Sequence, residues 1–409
     1  MTAQLTRLAN GLTVAIDPMP GARSVSIGLY AGVGSRSEAE GKGGLAHMLE
    51  HMVFKGAGGR DARAIAEAIE DVGGSLNAWT ARDQTVFHAR TLPADVGLAL
   101  ELIAELVRDP KLDEVELERE KQVILSELGE ARDAPDDLIY DHLFEAALGN
   151  QPLARPVLGR EESILGLTRD DCIAWLAQEY RPSRLVISAA GAVDPEAILS
   201  LAERLFGDLD PVEPAPIAPA QFVGGIRSDR KAAEQTQLAF ALPGLRSSHD
   251  STPALTLFSQ AVGGGMSSRL FQQLREERGL AYSIYSWTQA FADSGLFAVN
   301  LSTDKSRAAE AMALARDCVS RAAEDLSEDE LDRARAQVEA GLIMALETPQ
   351  GRADSMARSI EIFNRIMTLD EMLAEIRNVT ASHARNAAQA MLNGPIALAS
   401  IGGKLALAA

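Results

Sequence analysis

The sequence predicts an α+β protein made of two related domains of roughly 200 residues, each a largely antiparallel sheet covered by helices on one face. Three observations support this fold class. Short strand patterns alternate with long helical stretches, a proline-rich segment nearly bisects the chain, and segments of the first half recur in the second half at a constant spacing.

The first strands form a predicted hairpin. Two short runs of alternating apolar residues, Leu5 to Leu8 and Leu12 to Ile16, are joined at Asn10-Gly11, the strongest two-residue turn signal. A third strand is predicted at Val25 to Ala31, and a glycine-rich loop then leads into a helix from about Leu45 to Phe54. The first domain is therefore expected to begin with strands, and helices to follow.

A linker is predicted near the middle of the chain. Residues 210–219 carry four prolines, a composition that favours extended backbone and cannot continue a helix. We therefore expect one domain at 1–209, a linker at 210–222 and a second domain at 223–409.

Three pairs of predicted strands indicate that the second domain repeats the first. Each pair is separated by 211 residues, and the pairs are 25–30 with 236–241, 85–90 with 296–301, and 183–189 with 394–400. Strand sequences resemble one another by chance, so the constant offset carries the inference. It predicts a duplication of one strand-and-helix unit.

Charge and hydropathy exclude several function classes. The chain has 39 Lys and Arg against 58 Asp and Glu, a formal charge of −19, which repels nucleic-acid phosphates. No window approaches the roughly 18 uncharged apolar residues of a membrane helix. We expect no nucleic-acid partner, no membrane partner and, because no apolar leader is evident, a cytoplasmic location.

The segment Gly43–Phe54 contains candidate catalytic and metal-ligating residues. On a helix, His47 and His51 are four residues apart and share one face, with Glu50 beside them. Two imidazoles suit zinc, and a neighbouring carboxylate can take a proton from water that attacks a carbonyl. The alternative, a surface helix with two solvated histidines, fits poorly with the apolar residues around them.

His47-x-x-Glu50-His51 is the inverzincin signature. Here the sequence resembles the insulinase/pitrilysin metallopeptidases, in particular their short, processing-peptidase-like branch. The resemblance implies one Zn²⁺ per chain, held by the two histidines and by Glu127, with 75 residues between His51 and Glu127. It also implies that Glu50 activates a zinc-bound water and that Glu120, two helical turns before Glu127, orients a ligand.

The segment 73–80 resembles the edge strand of that family, to which a substrate adds as a further strand. The resemblance implies that peptides or unfolded segments are bound, with Asn77 and Ala78 pairing with the substrate backbone. Phe54 and Trp79 are expected to line a pocket next to the scissile bond or, alternatively, to belong to the core.

The second half lacks these metal-binding residues. The offset places Phe258, Ala261 and Val262 where the helix of the first half has His47, Glu50 and His51, and the repeat of the Glu127 helix has Gly341. The segment 263–283 resembles the C-terminal domain of the family, whose Arg and Tyr contact the substrate.

Arg275 and Tyr282 match that pair in type and spacing. They would supply donors to peptide carbonyls and to the developing oxyanion. A salt-bridged Arg and a core Tyr are the alternative.

Together these features imply a zinc-dependent endopeptidase. The resemblance further implies that the two domains face each other across a clamshell-like chamber and that the chain forms a homodimer. The alternative within the family is a non-catalytic scaffold or partner subunit, although such members typically lose part of the metal motif or the Arg/Tyr pair.

Overall fold

The computed structural model describes residues 3–231 and 233–402 and has the predicted mixture of helices and strands. The strands are β1 (Gln4–Arg7), β2 (Thr13–Pro18), β3 (Val25–Ala31), β4 (Gly56–Ala57), β5 (Arg60–Asp61), β6 (Ser75–Thr80), β7 (Thr85–Thr91), β8 (Leu185–Gly191), β9 (Gly225–Asp229), β10 (Thr236–Pro243), β11 (Ser283–Ala290), β12 (Gly295–Thr303) and β13 (Ala397–Ile401). The helices are α1 (Leu45–Val53), α2 (Ala62–Glu70), α3 (Val96–Arg108), α4 (Glu114–Asp133), α5 (Pro135–Leu148), α6 (Glu161–Leu165), α7 (Arg169–Glu179), α8 (Pro195–Phe206), α9 (Thr252–Gly263), α10 (Ala308–Asp325), α11 (Glu328–Ala345), α12 (Pro349–Phe363), α13 (Leu369–Arg377) and α14 (Ala381–Leu392). In the part of the chain that the structure describes, no helix is long and apolar enough to cross a membrane.

The chain divides into two compact units. The first comprises the residues up to Gly129, Arg155–Ile217 and Ile343–Thr368, and the second comprises Glu130–Ala154, Ala218–Leu342 and the chain from Leu369 onward. Residues 211–224 form neither helix nor strand, and one boundary between the units falls between Ile217 and Ala218, within the range expected to be a linker.

The sheet of the first unit has six strands in the order β1-β2-β8-β3-β7-β6. All pairs are antiparallel except β2 with β8, which is parallel. The helices α1, α3 and α8 pack on one face, over a core that includes Ile27, Leu29, Phe87 and Ile187. That packing places α1 against β6.

The sheet of the second unit repeats this topology. Its order is β11-β12-β10-β13-β9, which matches β6-β7-β3-β8-β2 strand by strand, and β9 with β13 is again the parallel pair. The equivalent strands β3 and β10 begin at Val25 and Thr236, which are 211 residues apart. The predicted duplication is confirmed in strand order and direction.

The two units exchange one helix each, so they differ from the continuous ranges expected from the sequence. The helix α5 lies in the first half of the chain but packs on β13 and β10, whereas α12 lies in the second half and packs on β8 and β3. The first sheet therefore has helices on both faces. The apolar stripe of a helix predicts that the helix packs on a sheet. It does not predict which of two similar sheets the helix covers.

Candidate metal centre and substrate strand

The helix α1, which carries the predicted ligands His47 and His51, starts after a glycine. Its first backbone N–H groups are capped by a side chain from the loop before the helix. Gly44 has φ 89°, and a Cβ there would lie 2.8 Å from the Leu158 carbonyl oxygen, so the turn requires glycine. The buried Glu38 carboxylate accepts the N–H groups of Gly44 and Ala46 at 3.1 and 2.9 Å. Burial raises the pKa of Glu38, while the two N–H donors act to lower it. The sequence does not predict this role, because Glu38 lies outside the usual capping spacing.

The predicted ligands converge. His47 and His51 lie on one face of α1, and Glu127 reaches them from α4. Glu127 Oε2 is 4.0 Å from His47 Nε2 and 3.8 Å from His51 Nε2, and one ligand atom of each residue lies within 4.8 Å of the others. Among the described residues, this is the one group of three or more His, Cys, Asp or Glu side chains close enough to share an ion.

The donor set fits zinc. Burial, together with a smaller effect of the neighbouring His51, lowers the pKa of His47 to about 4, so this imidazole is neutral at pH 7, as a metal ligand must be. Two neutral imidazoles and one carboxylate are a known catalytic zinc set, which leaves a fourth position for water or substrate.

Glu120 contacts one predicted ligand. Its Oε2 lies 3.0 Å from His51 Nδ1, and its Oε1 lies 2.7 Å from Lys55 Nζ. The side chain of Glu120 is only 5% exposed, and the ion pair places the cation of Lys55 directly beside this buried carboxylate. When Nδ1–H donates to Glu120, Nε2 is left free for a metal. Lys55 was not among the expected site residues, because it lies in the turn after α1 and its role follows from the contact with Glu120 on α4.

Glu50 lies beside the predicted metal ligands and is held by a contact with β6. Its Oε2 accepts a hydrogen bond from Thr80 Oγ1 on β6 at 2.6 Å. Burial raises the pKa of Glu50, and the charge of Glu127 adds to this effect, while Thr80 and His51 act in the opposite direction. A carboxylate with a raised pKa is a better proton acceptor at neutral pH. Thr80 is a further contact that the sequence alone does not indicate.

The strand β6 is the predicted edge strand. It lies at the end of the sheet and pairs with β7 alone among the described strands. Asn77 is exposed and its Oδ1 accepts the N–H of Ala78 at 2.9 Å. The other edge of β6 is available for the backbone of an added strand.

Phe54 and Trp79 lie in different surroundings, and their expected place beside the scissile bond stays a prediction. Successive side chains of a strand point to opposite faces, so Trp79 points away from Thr80, which faces α1. Trp79 is 41% exposed and does not line the pocket to which Phe54 contributes, which lies between α2 and Gly74–Leu76. The alternative of a core role fails for Trp79, whereas Phe54 is half-buried against the main core.

The equivalent positions of the second unit are apolar. Phe258 and Val262 are fully buried in the core of that unit, and Ala261 is nearly so. Gly341 is an exposed glycine of α11 and offers no ligand atom.

Arg275 and Tyr282 lie in the second unit, whereas the metal ligands lie in the first. Arg275 belongs to a short π-helix, Phe271–Glu276, and its guanidinium lies 4.7 Å from the centre of the Phe271 ring. Tyr282 precedes β11 and is 72% exposed. The alternative reading fails for both residues, because Tyr282 is not in the core and Arg275 forms no ion pair among the described residues. Irregular helices of this kind occur often at functional sites.

Known proteins resemble the whole chain. Residues 13–161 match the family described as "Insulinase (Peptidase family M16)", and residues 166–338 match "Peptidase M16 inactive domain". The chain is 36% identical over 401 residues to an uncharacterized zinc protease of Rickettsia bellii, with 97% of both chains covered. It is 34% identical over 411 residues to an uncharacterized zinc protease of Streptomyces coelicolor, covering 98% of this chain and 90% of the other.

Solved structures share the fold. A peptidase M16 inactive domain from Pseudomonas fluorescens has a TM-score of 0.91 at 23% identity, covering 100% of this chain and 99% of the other. A protease from Helicobacter pylori has a TM-score of 0.89 at 22% identity, covering 98% and 99%. With the match to both family descriptions and to the zinc protease relatives, the chain belongs to the insulinase family, peptidase family M16.

Proposed function

We propose that this protein is a zinc-dependent endopeptidase that hydrolyses peptides or unfolded segments bound as an added strand on β6. One observation carries the proposal. The carboxylate of Glu50 lies beside the converging His47, His51 and Glu127, and it is hydrogen-bonded to Thr80 on the edge strand. A peptide on that edge would therefore lie next to both the ligands and a proton acceptor.

His47, His51 and Glu127 would hold the zinc, and Glu120 with Lys55 would fix the orientation of His51. Zinc, when bound, acidifies water and polarises the scissile carbonyl. The three ligands are supported by their mutual distances, and the names of the relatives support the choice of metal.

Glu50 would take the proton of the attacking water and deliver it to the leaving amine. Its raised pKa favours the first step, and the Thr80 hydroxyl holds the carboxylate in one orientation. Neither Glu127 nor Glu120 is proposed as the base, because Glu127 would bind the metal and Glu120 would hold His51.

The backbone of Asn77 and Ala78 would pair with the substrate backbone. This mode binds any extended segment and excludes residues held in a helix or within a sheet, because their N–H and C=O groups are already paired. Unfolded segments are therefore the expected substrates.

Arg275 and Tyr282 would donate hydrogen bonds to substrate carbonyl groups. Their exposure and the absence of a competing ion pair at Arg275 support a role in binding. Arg275→Ala should leave the zinc content unchanged and lower turnover. Unchanged turnover would assign Arg275 to structure instead. The proposed homodimer is checked by the mass of the protein in solution.

The decisive experiment compares wild type with Glu50→Gln. Zinc content is measured by mass spectrometry of the metal, and cleavage is measured on an unbiased peptide mixture with and without chelator. We expect about one zinc per chain in both proteins and at least a ~100-fold loss of cleavage in Glu50→Gln. A zinc-loaded wild type that cleaves nothing would instead favour the non-catalytic partner subunit.

A further inference from the structure

The strand β9 leaves one edge of the second sheet free. It lies at the end of the order β11-β12-β10-β13-β9 and, among the described strands, pairs with β13 alone. The equivalent strand of the first unit, β2, has β1 on that side as an antiparallel partner. The first unit therefore fills a position beside its sheet that no described strand fills in the second unit.

An apolar side chain is exposed on this strand. In β9, Ile226 lies opposite Leu398. In β2, Val14 lies opposite Ile187, and Leu398 follows Ile187 by the repeat offset of 211 residues. Ile226 and Val14 therefore occupy equivalent positions, but Ile226 is 63% exposed whereas Val14 is completely buried. The second unit thus exposes apolar surface where the first unit buries it.

The backbone groups that face the free edge follow from one hydrogen bond. The N–H of Gly225 donates to the C=O of Ile396, the residue before β13, at 3.1 Å. Gly225 therefore points its backbone groups toward β13, and alternate residues of a strand point them to opposite sides. Ile226 and Ser228 consequently present their N–H and C=O groups to the free edge, where an added strand would bond to them.

Charge selects one register for the antiparallel pairing of two β9 strands. Residues directly opposite each other must face the same way, so the twofold axis passes through a residue and not between two residues. An axis at Arg227 or at Asp229 places like charges directly opposite each other, which is unfavourable. An axis at Ile226 would pair β9 with the irregular segment that precedes it. An axis at Ser228 places Arg227 of each copy opposite Asp229 of the other.

Arg227 can take this second partner while keeping its first. Its Nε lies 3.2 Å from Glu145 Oε2 on α5, and its side chain is 53% exposed. A guanidinium has five N–H donors, so one carboxylate leaves most of them available. Asp229, two residues along β9, lies on the same face of the strand. That face therefore carries a basic and an acidic side chain at the spacing that the twofold pairing requires.

We propose that β9 pairs with β9 of a second copy of this chain, antiparallel and about a twofold axis at Ser228. In this pairing Ser228 bonds to the Ser228 of the other copy and Ile226 bonds to Arg230, which gives about six backbone hydrogen bonds. Two ion pairs between Arg227 and Asp229 fix the register. The inference rests on the proposed homodimer and is independent of the peptidase activity.

The test measures the mass of the protein in solution at about 1 to 100 µM, the range in which a weak dimer dissociates. In Ser228→Pro both copies lose the N–H at the axis, and a free edge tolerates proline, so we expect the Kd of the dimer to rise at least ~30-fold. Ser228→Ala keeps this N–H and is the matched control, with a Kd like that of wild type.

Two charge variants test the register without changing the backbone. Asp229→Lys and Arg227→Glu each place like charges opposite each other, so each alone should dimerise about 10-fold more weakly than wild type. An equimolar mixture of the two variants restores opposite charges at both positions and should form a heterodimer with nearly the wild-type Kd. A mixture that dimerises as weakly as its components would contradict the register.

Residue-resolved hydrogen exchange locates the pairing. The N–H groups of Ile226 and Ser228 should exchange more slowly in the dimer than in the monomer, whereas the N–H of Gly225 is already bonded and should change little. Slow exchange at Ile226 and Ser228 in monomeric protein would mean that another part of the same chain covers the edge, which would overturn the proposal.

The outcomes separate this interface from the other proposals. A dimer that none of the variants weakens would overturn the interface while the homodimer stands. A wild type that is monomeric at every concentration would overturn both. Cleavage of peptides by the same protein decides the endopeptidase proposal separately, so the failure of one proposal does not imply the failure of the other.

Discussion

The two units have the same strand order but differ at one helix. In the first unit, α1 presents His47, Glu50 and His51 beside the edge strand, whereas α9 of the second unit has Phe258, Ala261 and Val262 at these positions. The apolar helix is packed into its core, while burial shifts the pKa values of His47 and Glu50 away from their ordinary ranges. The fold therefore does not depend on these polar residues.

The largest expected effect comes from removing a ligand of α1. His51→Ala should lower the affinity for zinc by roughly 1000-fold, because one of three ligands is lost together with the contact to Glu120. Competition with a fluorescent chelator measures the affinity. Retention of wild-type affinity would show that the metal is bound elsewhere.

Transferring the predicted metal-binding residues of α1 to α9 should not create a second zinc site. The triple variant Phe258→His, Ala261→Glu, Val262→His copies α1 onto α9, but Gly341 provides no third ligand. We expect no second zinc per chain, measured by metal analysis. A second bound zinc would mean that α9 alone suffices and that the carboxylate from the other helix is dispensable.

Shortening one side chain should lower the free energy of unfolding by different amounts in α1 and α9. Phe258→Ala should lower the free energy of unfolding of the second unit by ~3–5 kcal/mol, because Phe258 is fully buried. In metal-free protein, His47→Ala should cost the first unit only about 1 kcal/mol. Hydrogen exchange of backbone amides in each unit measures both values, and equal costs would contradict the comparison.

Removing the cation that pairs with Glu120 should lower the zinc affinity less than removing a ligand does. Lys55→Met removes the partner of the buried Glu120 carboxylate, so we expect a loss of zinc affinity of ~10–100-fold. Lys55→Arg keeps the charge and should recover most of the affinity. Equal affinities for Lys55→Met and wild type would show that Glu120 needs no cation.

The smallest effect is expected at the start of the two helices. Glu38→Ala removes the acceptor of two N–H groups and should cost about 1–2 kcal/mol, read from hydrogen exchange in α1. Ser251 precedes α9 without a side-chain capping bond, so Ser251→Ala is the matched control and should change stability by less than about 0.5 kcal/mol. A similar loss of stability in Glu38→Ala and Ser251→Ala would contradict the capping role of Glu38.

The residues predicted from the sequence are those whose spacing alone carries the chemistry. His47, Glu50 and His51 share one helical face because of their spacing, and the resemblance to the family adds Glu127 and Glu120. Lys55, Thr80 and Glu38 escape prediction because each is defined by a contact with an element that is distant in sequence or by burial.

The amino-acid sequence by itself determines the fold class, the duplication and the metal-binding helix, because these depend on periodicity and on a constant offset. The exchange of α5 and α12, the ion pair behind His51 and the pocket beside β6 depend on the tertiary structure. The physical reason is that periodicity specifies which face of an element is apolar or polar, whereas the partner of that face is selected by three-dimensional packing among several similar surfaces.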